Sequence, residues 1–221
     1  MKCYQYVCAL AMALMLSTQP SMADDNVPAT LADMEQHAEQ IVGALLARDE
    51  ATSRALYLQL TREMNLLDRQ ALNNPADERR SRELLMAHSW MRVIAIETGD
   101  KSWIEAAVAA NQLSGMIIQA SHFPGLMQRD VAWLAYLARE MELLTLEDPV
   151  ANADLLNLRL LTLESTWQRV GSELIKNFKN KPLLMEGDSL VAAMKASKSP
   201  AETVVLARKM LAFNGLVEKA L

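Results

Sequence analysis

Once a leader ending at Ala23 is set aside, the chain has no cysteine, because Cys3 and Cys8 both lie ahead of that point. That absence excludes disulfides, zinc–thiolate sites, iron–sulfur clusters, attached c-type haem and a cysteine nucleophile, all of which need thiol sulfur. Glycine is scarce, at 7 of 221 residues, and there is no Gly-rich phosphate loop, Gly-x-Ser-x-Gly elbow or His-Glu-x-x-His pair. Aromatic residues make up only 5%, β-branched residues are thin, and no stretch alternates apolar with polar. Strands are therefore disfavoured.

A long apolar run is missing too. The segment from Tyr4 to Leu16 follows Lys2 and leads to Ser21-Met22-Ala23. It falls short of the about 20 apolar residues a spanning helix needs. It reads as a cleavable signal peptide over residues 1–23, with cleavage after Ala23 and a periplasmic destination. Neither cysteine sits where a lipid anchor would require it.

Removing Lys2 with that segment takes 22 basic against 27 acidic residues to a net charge of −6. An acidic chain is a poor partner for nucleic acid. From Asn177 onward the sign reverses, with seven basic and four acidic residues. This basic C-terminal region reads as a solvated face or a weak docking surface for an acidic partner or lipid headgroups.

What is abundant is Leu, Ala, Met and Glu, all good helix formers. The fold class is all-α. Start and stop signals divide the chain legibly. Thr30 opens a first helix to about Ala47, and Asp49 caps a second to about Leu72. Asn74-Pro75 starts a third, closed by Gly99 in a left-handed conformation. Asp100 caps the fourth and Pro124 opens the fifth. Asp148-Pro149 starts the sixth, a seventh lies within 182–196, and Ser199-Pro200-Ala201-Glu202 is a capping box for the last.

Shifting the sequence by 77 residues aligns Arg62-Glu63-Met64 with Arg139-Glu140-Met141, and Trp90-Met91-Arg92-Val93 with Trp167-Gln168-Arg169-Val170. Between Ala55 and Val93, 14 of 39 positions match their counterparts without a gap. The economical reading is a tandem duplication. Two three-helix units, 24–99 and 100–178, pack as a bundle, and a C-terminal helical pair, 179–221, covers a flank. Glu63 and Glu140 each sit on an apolar helical stripe, where an unpaired carboxylate is costly. Arg82 and Arg159 recur on the following helices, so Glu63–Arg82 and Glu140–Arg159 are expected as interhelical ion pairs. Trp90 and Trp167 are expected as core anchors. Asp77 and Asp154 are expected to favour the starts of their helices.

Chemistry has few places to reside. His37, His88 and His122 are the only histidines, and His88 has Met91 one helical turn away on the same face. His37, His88 and Met91 could hold copper, or a histidine and a methionine could ligate haem b, since imidazole and thioether suit both. None of the three histidines has a histidine counterpart at the 77-residue shift, and no Glu precedes any of them by three residues as a di-iron bundle requires. Carboxylate acid–base chemistry at Glu63 and Glu140 is a third reading. The leading expectation is a periplasmic accessory or binding protein without catalytic activity. It would engage a protein partner or small ligand through a groove or face of the bundle.

Overall fold

The computed structural model describes residues 27–73 and 78–221. The signal-peptide reading, the Asn74-Pro75 start and Asp77 lie outside the described residues. Eight helices run through the described chain: α1 (Val27–Leu46), α2 (Glu50–Asn73), α3 (Glu78–Gly99), α4 (Trp103–Ala120), α5 (Leu126–Glu147), α6 (Ala153–Phe178), α7 (Lys181–Ala196) and α8 (Pro200–Lys219). Among those residues there is no strand. No helix there is long and apolar enough to cross a membrane.

Several boundaries follow the capping chemistry. Asp49 accepts hydrogen bonds from the Thr52 amide and hydroxyl at 3.0 and 2.7 Å, satisfying an orphan donor at the start of α2. Ser199 Oγ accepts from the Glu202 amide at 3.2 Å, and the Glu202 carboxylate accepts from the Lys198 amide at 2.9 Å. The capping box at α8 thus forms its forward bond, while the Glu202 carboxylate reaches back to the amide one residue before the cap. Other boundaries move. Gly99 stays within α3, and the left-handed residue of the α3–α4 turn is Lys101, at φ 61°. α4 begins after Ser102 rather than after Asp100. Asp148 spends its carboxylate on the amides of Val150 and Ala151, forming a turn, so α6 starts at Ala153 and not at Pro149.

Packing groups the helices four and four, not three, three and two. α1 packs on α2 and α4, and α3 packs on α4, while α2 and α3 touch only sparsely. The second half repeats this ring: α5 packs on α6 and α8, and α7 bridges α6 and α8. Each ring encloses its own apolar core. The two meet where α4 lies along α5, helped by an alanine-rich α4 in which Ala106, Ala107, Ala109 and Ala110 are all buried. Small side chains bring the neighbouring backbones close, which favours dispersion contacts. Tyr136 of α5 sits so near Gly115 that an added Cβ would lie 2.9 Å from its ring.

Residues matched by the 77-residue shift do not share surroundings throughout. Leu60, Met64 and Leu67 are buried, as are Leu137, Met141 and Leu144. Arg62 is exposed, however, whereas Arg139 is buried; Leu84 is buried, whereas Leu161 is 62% exposed. Trp167 is 2% exposed, while Trp90 is half-buried at the edge of the first core. The reason is position: α2 and α3 border one ring, whereas α5 is enclosed by α4, α6 and α8.

Candidate functional site

From Leu134 to Thr145 every residue of α5 is buried. A helix apolar on all sides would satisfy that environment, yet α5 carries Asp130, Arg139, Glu140 and Glu142 into it. Each meets an opposite charge on a different helix or level. Arg169 of α6 grips Asp130 through Nε and Nη2, at 2.7 and 3.1 Å. Arg208 of α8 donates to Glu142 at 2.7 Å. Arg139 reaches back to Glu39 of α1, and also donates to Asn111 Oδ1 at 3.1 Å. Arg159 Nε lies 2.6 Å from Glu140 Oε2, a close ion pair in which the N–H is not aimed at the oxygen. Gln112 donates to the other Glu140 oxygen at 3.1 Å and accepts from the Tyr136 hydroxyl at 3.2 Å. Burial and the Glu140 charge both push the Tyr136 hydroxyl pKa upward, so this phenol stays protonated.

The expected partners are thus brought together in one case and not in the other. Glu140 and Arg159 meet. Glu63 instead accepts a 2.6 Å contact from His37 Nδ1 of α1, and Arg82 is exposed on α3. Register explains the difference. The α5–α6 pair runs antiparallel with Asp130 opposite Arg169, and that register puts Glu140 opposite Arg159. On α2 and α3 Asp68 meets His88 at 2.9 Å, which puts Glu63 level with about Val93. Arg82 then lies roughly 16 Å away along the helix at 1.5 Å per residue. Burial pushes the Glu63 carboxyl up while His37 pulls it down.

His37 and His88 each have a ring nitrogen held by a carboxylate, and they sit at different helix pairs. Met91 is buried in the first core and His122 lies in the α4–α5 connection. Among the described residues no group of three or more His, Cys, Asp or Glu side chains is placed to hold a metal ion. The basic C-terminal region is partly spent internally: Lys195 donates to Glu164 and Arg208 to Glu142, both at 2.7 Å.

Two open clefts lie where α4 turns into α5. One cleft of about 730 Å³ is lined by His122, Phe123, Arg129 and Trp133. A second, of about 710 Å³, runs between the start of α5 and the end of α6, past Met127, Gln168 and Phe178. They share Gly125 and Leu126, and Leu126 stands 71% exposed between them. Trp133 is braced edge-on by Tyr136, with ring centroids 5.0 Å apart. Sequence reasoning passed over this elbow, apart from His122 and Pro124, because its residues come from two helix ends and a loop with no shared period.

Beside the elbow, Glu35 and Glu39 of α1 and Glu218 of α8 crowd around Arg139. Burial, then the charges of Glu39 and Glu218, raise the Glu35 pKa from 4.5 to about 7, against the pull of Arg139. A carboxyl whose folded pKa is raised binds its proton more tightly in the folded state. Its contribution therefore favours folding at low pH, declines as pH rises from about 4.5 to about 7, and stays lost above that. Glu35→Gln is expected to stabilise the protein by about 2 kcal/mol at pH 8 and by nearly nothing at pH 4. Urea unfolding at the two pH values measures this, and an equal effect at both would be inconsistent with it.

Compared with family models, with curated proteins and with solved structures, the chain matches none.

Proposed function

We propose that this is an exported helical binding protein without catalytic activity, which engages a protein partner through the α4–α5 elbow. The observation that carries the reading is the pair of clefts meeting at Gly125 and Leu126. An exposed leucine flanked by aromatic and cationic side chains is the usual composition of a recognition surface, with an apolar anchor and a polar rim. The buried charges of α5 are each engaged by an opposite charge on another helix, and neither Glu63 nor Glu140 lines either cleft. That gives less support to acid–base chemistry there. Copper or haem b at His37, His88 and Met91 has less support still, since His37 and His88 sit at different helix pairs and Met91 is buried in the first core. Export rests on Lys2, the apolar run Tyr4–Leu16 and the small-residue sequence before Asp24.

A photo-crosslinking residue placed at Leu126 tests this in Gram-negative cells. A discrete adduct in the periplasmic fraction is expected from position 126. A control at Leu85, 67% exposed on α3 and outside both clefts, is expected to give none. No adduct at 126, or the same adducts from both positions, would remove the support.

A further inference from the structure

The two bundles close their seams differently. Between α6 and α7, Trp167 fills the seam, donating to Asp188 at 2.8 Å and packing against Gly187. Between α2 and α3 the helices touch only sparsely. There a cleft of about 620 Å³ opens at the end of the first bundle, within the size range of small-molecule sites.

Its lining has a definite chemistry. Tyr57 of α2 and Trp103 of α4 are half-buried against the first core and supply flat apolar walls. Ser53, which lines the same cleft, is 1% exposed, and its hydroxyl has no hydrogen-bond partner. Helical hydroxyls usually bond back to the carbonyl one turn earlier, as Thr61 does to Tyr57 at 2.8 Å in this same helix. An unspent buried hydroxyl is costly without a ligand to take it. Arg54 stands at the rim beside it. Lys101 is tied across the mouth to Glu50 at 3.2 Å, leaving the rim with one net positive charge.

We infer that the α2–α3 cleft binds a small organic monoanion with a flat apolar body. Its carboxylate would lie against Arg54 and the Ser53 hydroxyl, and its body between Tyr57 and Trp103. Charge selects this class: a cation would face Arg54, whereas an anion finds a charge-assisted donor there and apolar surface on Tyr57 and Trp103. The site lies at the start of α4 and the elbow at its end, the two share no lining residue, and the inference stands apart from the elbow's function.

Fluorotryptophan labelling of the full chain gives a 19F signal for each tryptophan, with that of Trp103 assigned by Trp103→Phe. Benzoate is the probe, benzylammonium its cationic counterpart. The Trp103 signal is expected to shift saturably with benzoate in the millimolar range and not with benzylammonium. Arg54→Gln is expected to weaken benzoate about tenfold, the loss of one charge-assisted hydrogen bond, in a chain whose circular dichroism is unchanged. A Trp103 signal indifferent to benzoate, an equal response to benzylammonium, or full benzoate affinity in Arg54→Gln would each overturn the assignment.

Discussion

Replacing Gly187 by valine is expected to cost about 3 kcal/mol of stability, and replacement by alanine about 2, because neither side chain has room. A Cβ at this position would overlap the six-membered ring of the Trp167 indole, touching Cζ2, Cη2 and Cε2 well inside van der Waals contact. The ring has no easy retreat. Trp167 is 2% exposed, its Nε1 donates to Asp188 one residue beyond the glycine, and Phe213 packs edge-on at 5.3 Å. Either the hydrogen bond or the second core must give way. Gly171, on the other side of the seam, is a milder case, since its added Cβ would meet the flexible end of Leu184. Gly215→Ala is the matching control. Nothing lies within 4 Å of its added Cβ, so helix propensity alone should raise stability by about 0.5 to 1 kcal/mol. Urea midpoints at unchanged slope report all three. A Gly187→Val protein as stable as the parent would mean that the α6–α7 seam is not packed as described.

Removing one partner of the Glu140–Arg159 pair is the second large effect. Arg159→Leu leaves the Glu140 carboxylate, 3% exposed, without its countercharge. Breaking a buried pair in this way costs about 3 kcal/mol, mostly the desolvation of the charge left behind. Gln112 still donates to the stranded carboxylate, which limits the loss and does not cancel it. Neutralising that carboxylate with Glu140→Gln should restore most of the loss, because the cost lies in the unpaired charge. A loss that Glu140→Gln leaves in place would point instead to the leucine packing badly. The two predictions probe different seams of the same bundle, one apolar and one ionic.

Much of this fold was written in local chemistry. Asp49, Ser199 and Pro200 announce their helices because capping is a contact between residues three apart, and neighbours in sequence suffice to find it. The stripe Leu60-Met64-Leu67 and its counterpart Leu137-Met141-Leu144 are buried as their spacing requires. Glu140–Arg159 was legible for a similar reason: a short connection fixes the antiparallel register. The same argument applied to Glu63–Arg82 fails because the Asp68–His88 contact sets a different register between α2 and α3, and the carboxylate turns to His37 on α1. Nothing local distinguishes Arg139 from Arg62. The difference between a buried clasp and an exposed side chain comes from which helix the second bundle happens to enclose. The four-and-four grouping was hidden for a related reason, since the 77-residue period in the sequence cuts across the bundles instead of coinciding with them. Gly187 carried no signal at all, because its partner is 20 residues away on another helix.

If the buried charges of α5 serve architecture and the elbow serves recognition, the two can be separated. Glu140→Gln combined with Arg159→Leu removes both charges while keeping an acceptor for Gln112, and should regain most of the stability that Arg159→Leu loses. The decisive measurement is the Leu126 photo-adduct formed by that doubly substituted chain. An adduct of undiminished yield from a folded protein is what the account predicts; a folded protein whose adduct disappears would contradict it.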